Sequence, residues 1–166
     1  PIIILIHGFK YDPDCAGRSP HATIFARAAQ PDRARDVGWL RHLGFGTGNA
    51  DEGLAIAFGW RARGNLWRAE RAAQAAGQHL AQVIKDIRAR APDRPIHAVT
   101  HAMGSEVIFE ALHALPAGAV QRIVTLTGAT YASRAIAAMQ TPAGRSAELF
   151  NITSRENDLF DFLYER

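Results

Sequence analysis

Apolar residues along this chain fall into two textures that alternate from end to end. The first is the short unbroken run: "IIILI" at 2–6, "LAIAFGW" at 54–60, "PIHAVTH" at 95–101, "QRIVTLTGA" at 121–129 and "AELFNITS" at 147–154. Each run predicts a strand; the continuous β-branched "IIILI" predicts one buried on both faces, and "LAIAFGW" a second buried strand. The second texture repeats every three to four residues. Leu66, Ala69, Ala73, Ala76, Leu80, Ile84 and Ile87 make one apolar stripe, which predicts a long helix over 66–90 with Asn65 as its N-cap and Pro92 as its stop. Shorter helices are predicted over 37–45, 104–115, 131–140 and 158–166. The polar stretch 10–36 holds three prolines and reads as loop, with one short helix around 22–29.

Strands that alternate with helices demand a parallel sheet with right-handed crossovers and helices on both faces. The expected fold class is therefore α/β, with at least five parallel strands. No internal repeat, low-complexity tract or linker interrupts the pattern, so residues 1–166 read as a single domain.

Composition narrows the partners. With 48% hydrophobic residues, the chain can bury a real core. The net charge is +3, but the arginines are scattered: Arg33/Arg35, Arg61/Arg63, Arg68/Arg71 and Arg88/Arg90/Arg94. A nucleic-acid binder concentrates its cations in a stripe with stacking aromatics. Only "WRARGNLWR" at 60–68 approaches that, and it also reads as a strand end entering a helix, so no nucleic-acid partner is expected. The lone Cys15 excludes an internal disulfide and a Cys-based zinc cage. No apolar run has the length of a membrane span, and "PIIILI" is too short and lacks the basic leader of a signal peptide. The expectation is a soluble, cytoplasmic protein.

In a parallel α/β sheet, sites form at the carboxyl ends of the strands. The first strand is followed by His7-Gly8-Phe9, the third by Thr100-His101-Ala102-Met103-Gly104, and the fifth by Ser154-Arg155-Glu156-Asn157-Asp158. A strand, a one-residue corner and an immediate helix lift the side chain at position 102 clear of the sheet. Such a corner is strained, so the residues two before and two after must be small; Thr100 and Gly104 occupy those places. The helix that begins there aims unpaired N–H groups and a positive dipole end at the corner, which suits a developing oxyanion.

These segments resemble the alpha/beta-hydrolase superfamily on its lipase and esterase side. The carriers are "IILIHGF", the elbow "VTHAMGSEV" and the acid-bearing turn "NITSREND"; "FGW" after the second strand is similar to a strand-then-Trp pattern in some esterases of the superfamily. The resemblance implies an alpha/beta-hydrolase fold. It places the nucleophile at position 102 and oxyanion donors at the N–H groups of Phe9 and Met103, with Gly8 allowing close backbone approach. It makes Asp158 the triad acid. Glu156 and Asp161 compete for that role, and Asp158 also reads locally as an N-cap. His7 is expected to hydrogen-bond within its loop and prop the oxyanion turn. His101 is expected to be a spacer pointing away from the reaction, and His97 a core residue with its polar atoms satisfied. No metal or organic cofactor is implied.

The sequence departs from the superfamily pattern in three places. Thr100 stands where glycine is usual. Ala102 stands where the nucleophile belongs. No histidine follows Asp158, although the triad runs nucleophile, acid, histidine; His21, His42, His79 and His113 all precede the acid. Alanine at the corner has two explanations, a natural pseudoenzyme or a serine replaced deliberately, and the intact surroundings favour the second. Ser105 is no substitute, because a serine in the first helical turn serves the backbone. The absent histidine implies a further helix and strand beyond Arg166, in a C-terminal continuation or a second chain. The expected parent is a serine hydrolase of small carboxylic esters acting through an acyl-enzyme, and this sequence is expected to bind without turnover. The alternative is a natural non-catalytic binder on the same fold. The 10–36 stretch is expected to overhang the cleft, as a lid or as a surface connection.

Overall fold

The computed structural model describes residues 1–26 and 38–153. It contains five strands: β1 Ile2–Ile6, β2 Leu54–Phe58, β3 Ile96–His101, β4 Arg122–Leu126 and β5 Glu148–Ile152. Five α-helices connect them: α1 Trp39–His42, α2 Leu66–Arg90, α3 Gly104–Leu112, α4 Ala132–Met139 and α5 Pro142–Arg145. All four strand pairings are parallel, in the order β2-β1-β3-β4-β5.

The unbroken apolar run of β1 has the meaning expected of it, because both of its faces are covered. Ile2, Ile4 and Ile6 join the main core with Ala73, Leu80 and Ile84 of α2 and Val107, Ile108 and Leu112 of α3. Leu5 faces the other way, into a smaller cluster with Ile24 and Phe25, against which Ile3, Trp39 and Leu40 pack. Each large side chain so buried contributes roughly 1.5–3 kcal/mol. The order of the elements makes this two-sided. Crossovers that advance across the sheet put α2 and α3 on one face, and the single reversal from β1 to β2 puts α1 on the other.

Helix α2 spans the predicted 66–90. Its buried side is the expected stripe from Ala69 to Ile84, with Ala73, Ala76, Gly77, Leu80 and Ala81 between; Leu66, expected to open the stripe, is exposed. The Asn65 side chain caps it, accepting from the Arg68 N–H at 2.9 Å.

Several expectations change. Among the described residues β2 is an edge strand with one neighbour, so it is half-buried, not buried; Leu54 is exposed. The first loop forms two short 3-10 turns, Ala16–Arg18 and Pro20–Ala22, and the described part of the predicted helix at 22–29 is turn, not α-helix. Ile24 and Phe25 do not overhang a cleft: they are core residues that anchor the loop to the second face of the sheet. His97 is not satisfied, since its buried Nδ1 meets no hydrogen-bond partner among the described residues. The predicted helix at 158–166 lies outside the described residues.

Candidate active site at the β3–α3 corner

Strand β3 ends at His101 and α3 begins at Gly104, leaving two residues for the reversal. Ala102 makes it with φ +46°, in the left-handed region. For an alanine this conformation costs about 1–2 kcal/mol relative to ordinary backbone. Surrounding hydrogen bonds hold the corner in place. The Ala102 N–H donates to Leu126 O at 3.0 Å. Its carbonyl accepts from the N–H groups of Ser105 at 3.0 Å and Ala129 at 3.1 Å, and from the Ser105 hydroxyl at 2.8 Å. Ser105 thus serves the backbone, as a donor to the corner carbonyl. Ala129 comes within reach because the chain turns at Thr127, whose φ is +48°.

Steric room around the corner is minimal. A Cβ on Gly104 would lie 2.6 Å from His7 O and 2.8 Å from Ile6 O, so only glycine fits where α3 starts against the end of β1. Thr100 takes the other small-residue place. It is fully buried, and its Oγ1 has no hydrogen-bond partner among the described residues. A hydroxyl there costs desolvation that the usual glycine avoids.

The loop after β1 meets the corner directly. A Cβ on Gly8 would sit 2.9 Å from both His101 Nδ1 and His101 O, and 3.1 Å from the Ala102 Cβ. The structure therefore brings His7, Gly8 and Phe9 together with Ala102, Met103 and Gly104. Among the described residues, no acceptor is bonded to the N–H of Phe9, Met103 or Gly104. Asp158, with its competitors Glu156 and Asp161, lies outside the described residues. None of the described histidines is paired with a carboxylate.

His7 props its loop in a specific chemical form. It is completely buried. The Trp60 N–H donates to its Nε2 at 3.0 Å, so the ring proton is on Nδ1, which donates to Gly8 O at 2.9 Å. The Trp60 indole N–H donates in turn to His7 O at 2.9 Å, and the two rings stack at 5.5 Å, only 7° from parallel. Burial pulls the His7 pKa from 6.5 to about 4, with the bond to Gly8 opposing. The neutral tautomer is thus the native one. Trp60, the aromatic of "FGW", is a supporting residue whose purpose only the structure reveals. His101 leans on Trp39, with ring centroids 6.3 Å apart, and burial lowers its pKa also.

A second feature had little signal in the sequence. Glu106, in the first turn of α3, is a buried carboxylate. The Thr130 hydroxyl and the Arg134 guanidinium both donate to it, and Arg134 reaches on to Glu70 at 2.8 Å. This network ties α2, α3 and α4 together beside the corner and borders a cleft of about 310 Å³. The hydrogen bond to Glu106 raises the pKa of Arg134 further, so the guanidinium stays charged. Among the described residues, no three His, Cys, Asp or Glu side chains converge to hold a metal, and no helix is long and apolar enough to cross a membrane.

Comparison with known proteins supplies the family. Residues 1–133 match the family described as "Alpha/beta hydrolase of unknown function (DUF900)". No curated protein matches the chain. Among solved structures, an acetylxylan esterase is similar with a TM-score of 0.54 at 12% identity, over 93% of this chain and 83% of that one. The catalytic core domain of acetyl xylan esterase from Trichoderma reesei is similar with a TM-score of 0.53 at 10% identity, over 96% of this chain and 89% of that one. At such identities the likeness shows a shared fold. With the family matched over most of its length, and with a five-stranded parallel sheet and a left-handed corner between β3 and α3, this chain belongs to the alpha/beta hydrolases of unknown function.

Proposed function

We propose that this fold is a carboxylic ester hydrolase scaffold, present here in a form that binds an ester without cleaving it. The observation that carries the reading is Ala102 at φ +46°. Strain of that kind persists where the surroundings over-determine it, and it clusters at functional sites. The names of two similar structures, both acetylxylan esterases, agree with ester chemistry.

In this reading the ester carbonyl oxygen accepts from the N–H groups of Phe9 and Met103. Both are left without acceptors among the described residues, and both lie where negative charge would develop in the transition state. A serine at position 102 would attack the carbonyl carbon, and a histidine from a segment outside this sequence would take its proton. Asp158 would orient that histidine and compensate its charge, and the acyl group would pass to serine before water released it. With alanine, the donors remain but no oxygen can attack. Residual catalysis from the donors alone would be far below that of a serine form.

The alanine itself favours a second reading, a natural non-catalytic binder that uses the same corner for a ligand. One pair of experiments separates the two. Titrating the protein with a short unactivated ester, with ¹H–¹⁵N spectra recorded, should shift the Phe9 and Met103 amides together. Introducing Ala102→Ser into the full-length parent protein should then give hydrolysis of short activated esters. Shifts without any restored turnover of ester, thioester or amide substrates would favour the binder. Absence of shifts at both amides would remove the ester reading.

A further inference from the structure

The segment "ARGNLWRAER" at 62–71 enters α2 with its apolar and cationic groups on the outside. Trp67 is 63% exposed and Leu66 38%, and Arg63, Arg68 and Arg71 are exposed as well. The helix geometry explains this. The buried stripe of α2 starts at Ala69 and continues through Ala73 and Ala76, so Trp67 and Arg71, four residues apart, lie on the opposite, solvent side. Arg68 folds its stem across Gly64, with Cβ and Cδ 3.4 Å from where a Gly64 Cβ would lie. Lys10 joins the group from the neighbouring loop, because its N–H donates to Ala62 O at 2.7 Å and the Ala62 N–H donates to Tyr11 O at 2.9 Å. Among the described residues, Lys10, Arg63, Arg68 and Arg71 are bonded to no carboxylate, whereas neighbouring Arg61 is paired with Asp14 at 2.6 Å. Glu70, the acid within the segment, is turned aside to Arg134.

The geometry points to an interfacial docking surface for an anionic lipid bilayer, made by Leu66 and Trp67 ringed by Lys10, Arg63, Arg68 and Arg71. A tryptophan beside an exposed leucine suits the boundary between headgroups and acyl chains, where an indole is half apolar and half wet. Unpaired guanidinium groups around it complement anionic headgroups. A nucleic acid would use the cations but has no use for Leu66, and it would ask for several stacking aromatics where one is exposed. The sheet is wholly parallel and α2 follows the carboxyl end of β2, so the surface lies on the same edge as the β3–α3 corner. Docking there turns that edge toward the bilayer. The inference stands whether or not the corner binds esters.

The test is co-sedimentation of the whole protein with vesicles of phosphatidylcholine alone, or of phosphatidylcholine with about a third phosphatidylserine. Tryptophan emission is recorded alongside. Trp60 is buried and Trp39 half-buried, so a blue shift reports chiefly on Trp67. The expected result is binding to the anionic vesicles only, weakened by salt, with a blue shift. The triple variant Arg63→Gln/Arg68→Gln/Arg71→Gln should lose on the order of 100-fold in partitioning, and Trp67→Ala should lose the shift. All four positions are exposed, and circular dichroism confirms that the variants fold. Equal binding to neutral vesicles, unchanged partitioning of the triple variant, or unmoved emission would overturn the proposal. So would a single-stranded oligonucleotide bound in preference to anionic vesicles, which would reassign the patch to nucleic acid.

Discussion

Acid should unfold this protein in part through one histidine. His7 is completely enclosed, accepts the Trp60 N–H on Nε2, and is held neutral with a pKa of about 4 instead of 6.5. The sign follows from which state binds the proton. Between pH 6.5 and about 4 the unfolded chain protonates this ring and the folded one does not, so the unfolded state gains as pH falls. The contribution of His7 is therefore fully present above 6.5, is lost progressively down to about 4, and is level below that. Each unit between the two values is worth about 1.4 kcal/mol, so the total loss is about 3 kcal/mol. The assay is urea unfolding of the protein and of His7→Gln at several pH values across this window. Glutamine forfeits the ring stacked on Trp60 and should be less stable by roughly 1–3 kcal/mol at neutral pH, but it carries no titrating group, so the gap should close as pH falls toward 4. His97 and His101 are also shifted downward and tilt both proteins in the same direction, so the comparison rests on the difference in slope. Equal slopes for the two proteins, or an imidazole signal of His7 titrating near its ordinary value, would refute the argument.

Other substitutions read the corner and its supports. Ala102→Gly should stabilise the fold by roughly 1 kcal/mol in thermal unfolding, because glycine accepts φ +46° without a Cβ penalty. Gly8→Ala should cost about 1–3 kcal/mol, since the new methyl meets the His101 ring, its carbonyl and the Ala102 Cβ, and it should move the Phe9 amide resonance. Asn65→Ala should lose about 1 kcal/mol through the orphaned Arg68 N–H, with hydrogen exchange rising first in the opening turn of α2. Arg134→Met should be the costliest of these, about 3 kcal/mol, because it leaves the buried Glu106 carboxylate without its cation; adding Glu106→Gln should recover much of that loss.

Much of this protein was legible in one dimension. The strands β1 and β3, the 25-residue span of α2 and its Asn65 cap depend on period and local capping chemistry, which the chain order states directly. The corner at Ala102 was readable for the same reason: an apolar strand and an amphipathic helix separated by two residues leave no gentler route. What only the tertiary structure decided involves groups far apart in the chain. The edge position of β2 follows from strand order, and a continuous apolar run cannot say how many neighbours it has. The first loop looked like a cover because a long polar stretch between elements reads as surface, yet Ile24 and Phe25 found an uncovered face of the sheet beneath Leu5 and became core. His7 reads as neutral only once Trp60, 53 residues away, donates to it. The Glu106–Arg134 network joins two helices on either side of a strand, and no local pattern announces a carboxylate that burial has made dependent on a distant guanidinium. Local spacing determines elements because the forces that set φ and ψ act over a few residues. Strand neighbours, protonation and buried pairs are settled by desolvation, and desolvation depends on which distant segments close over a group.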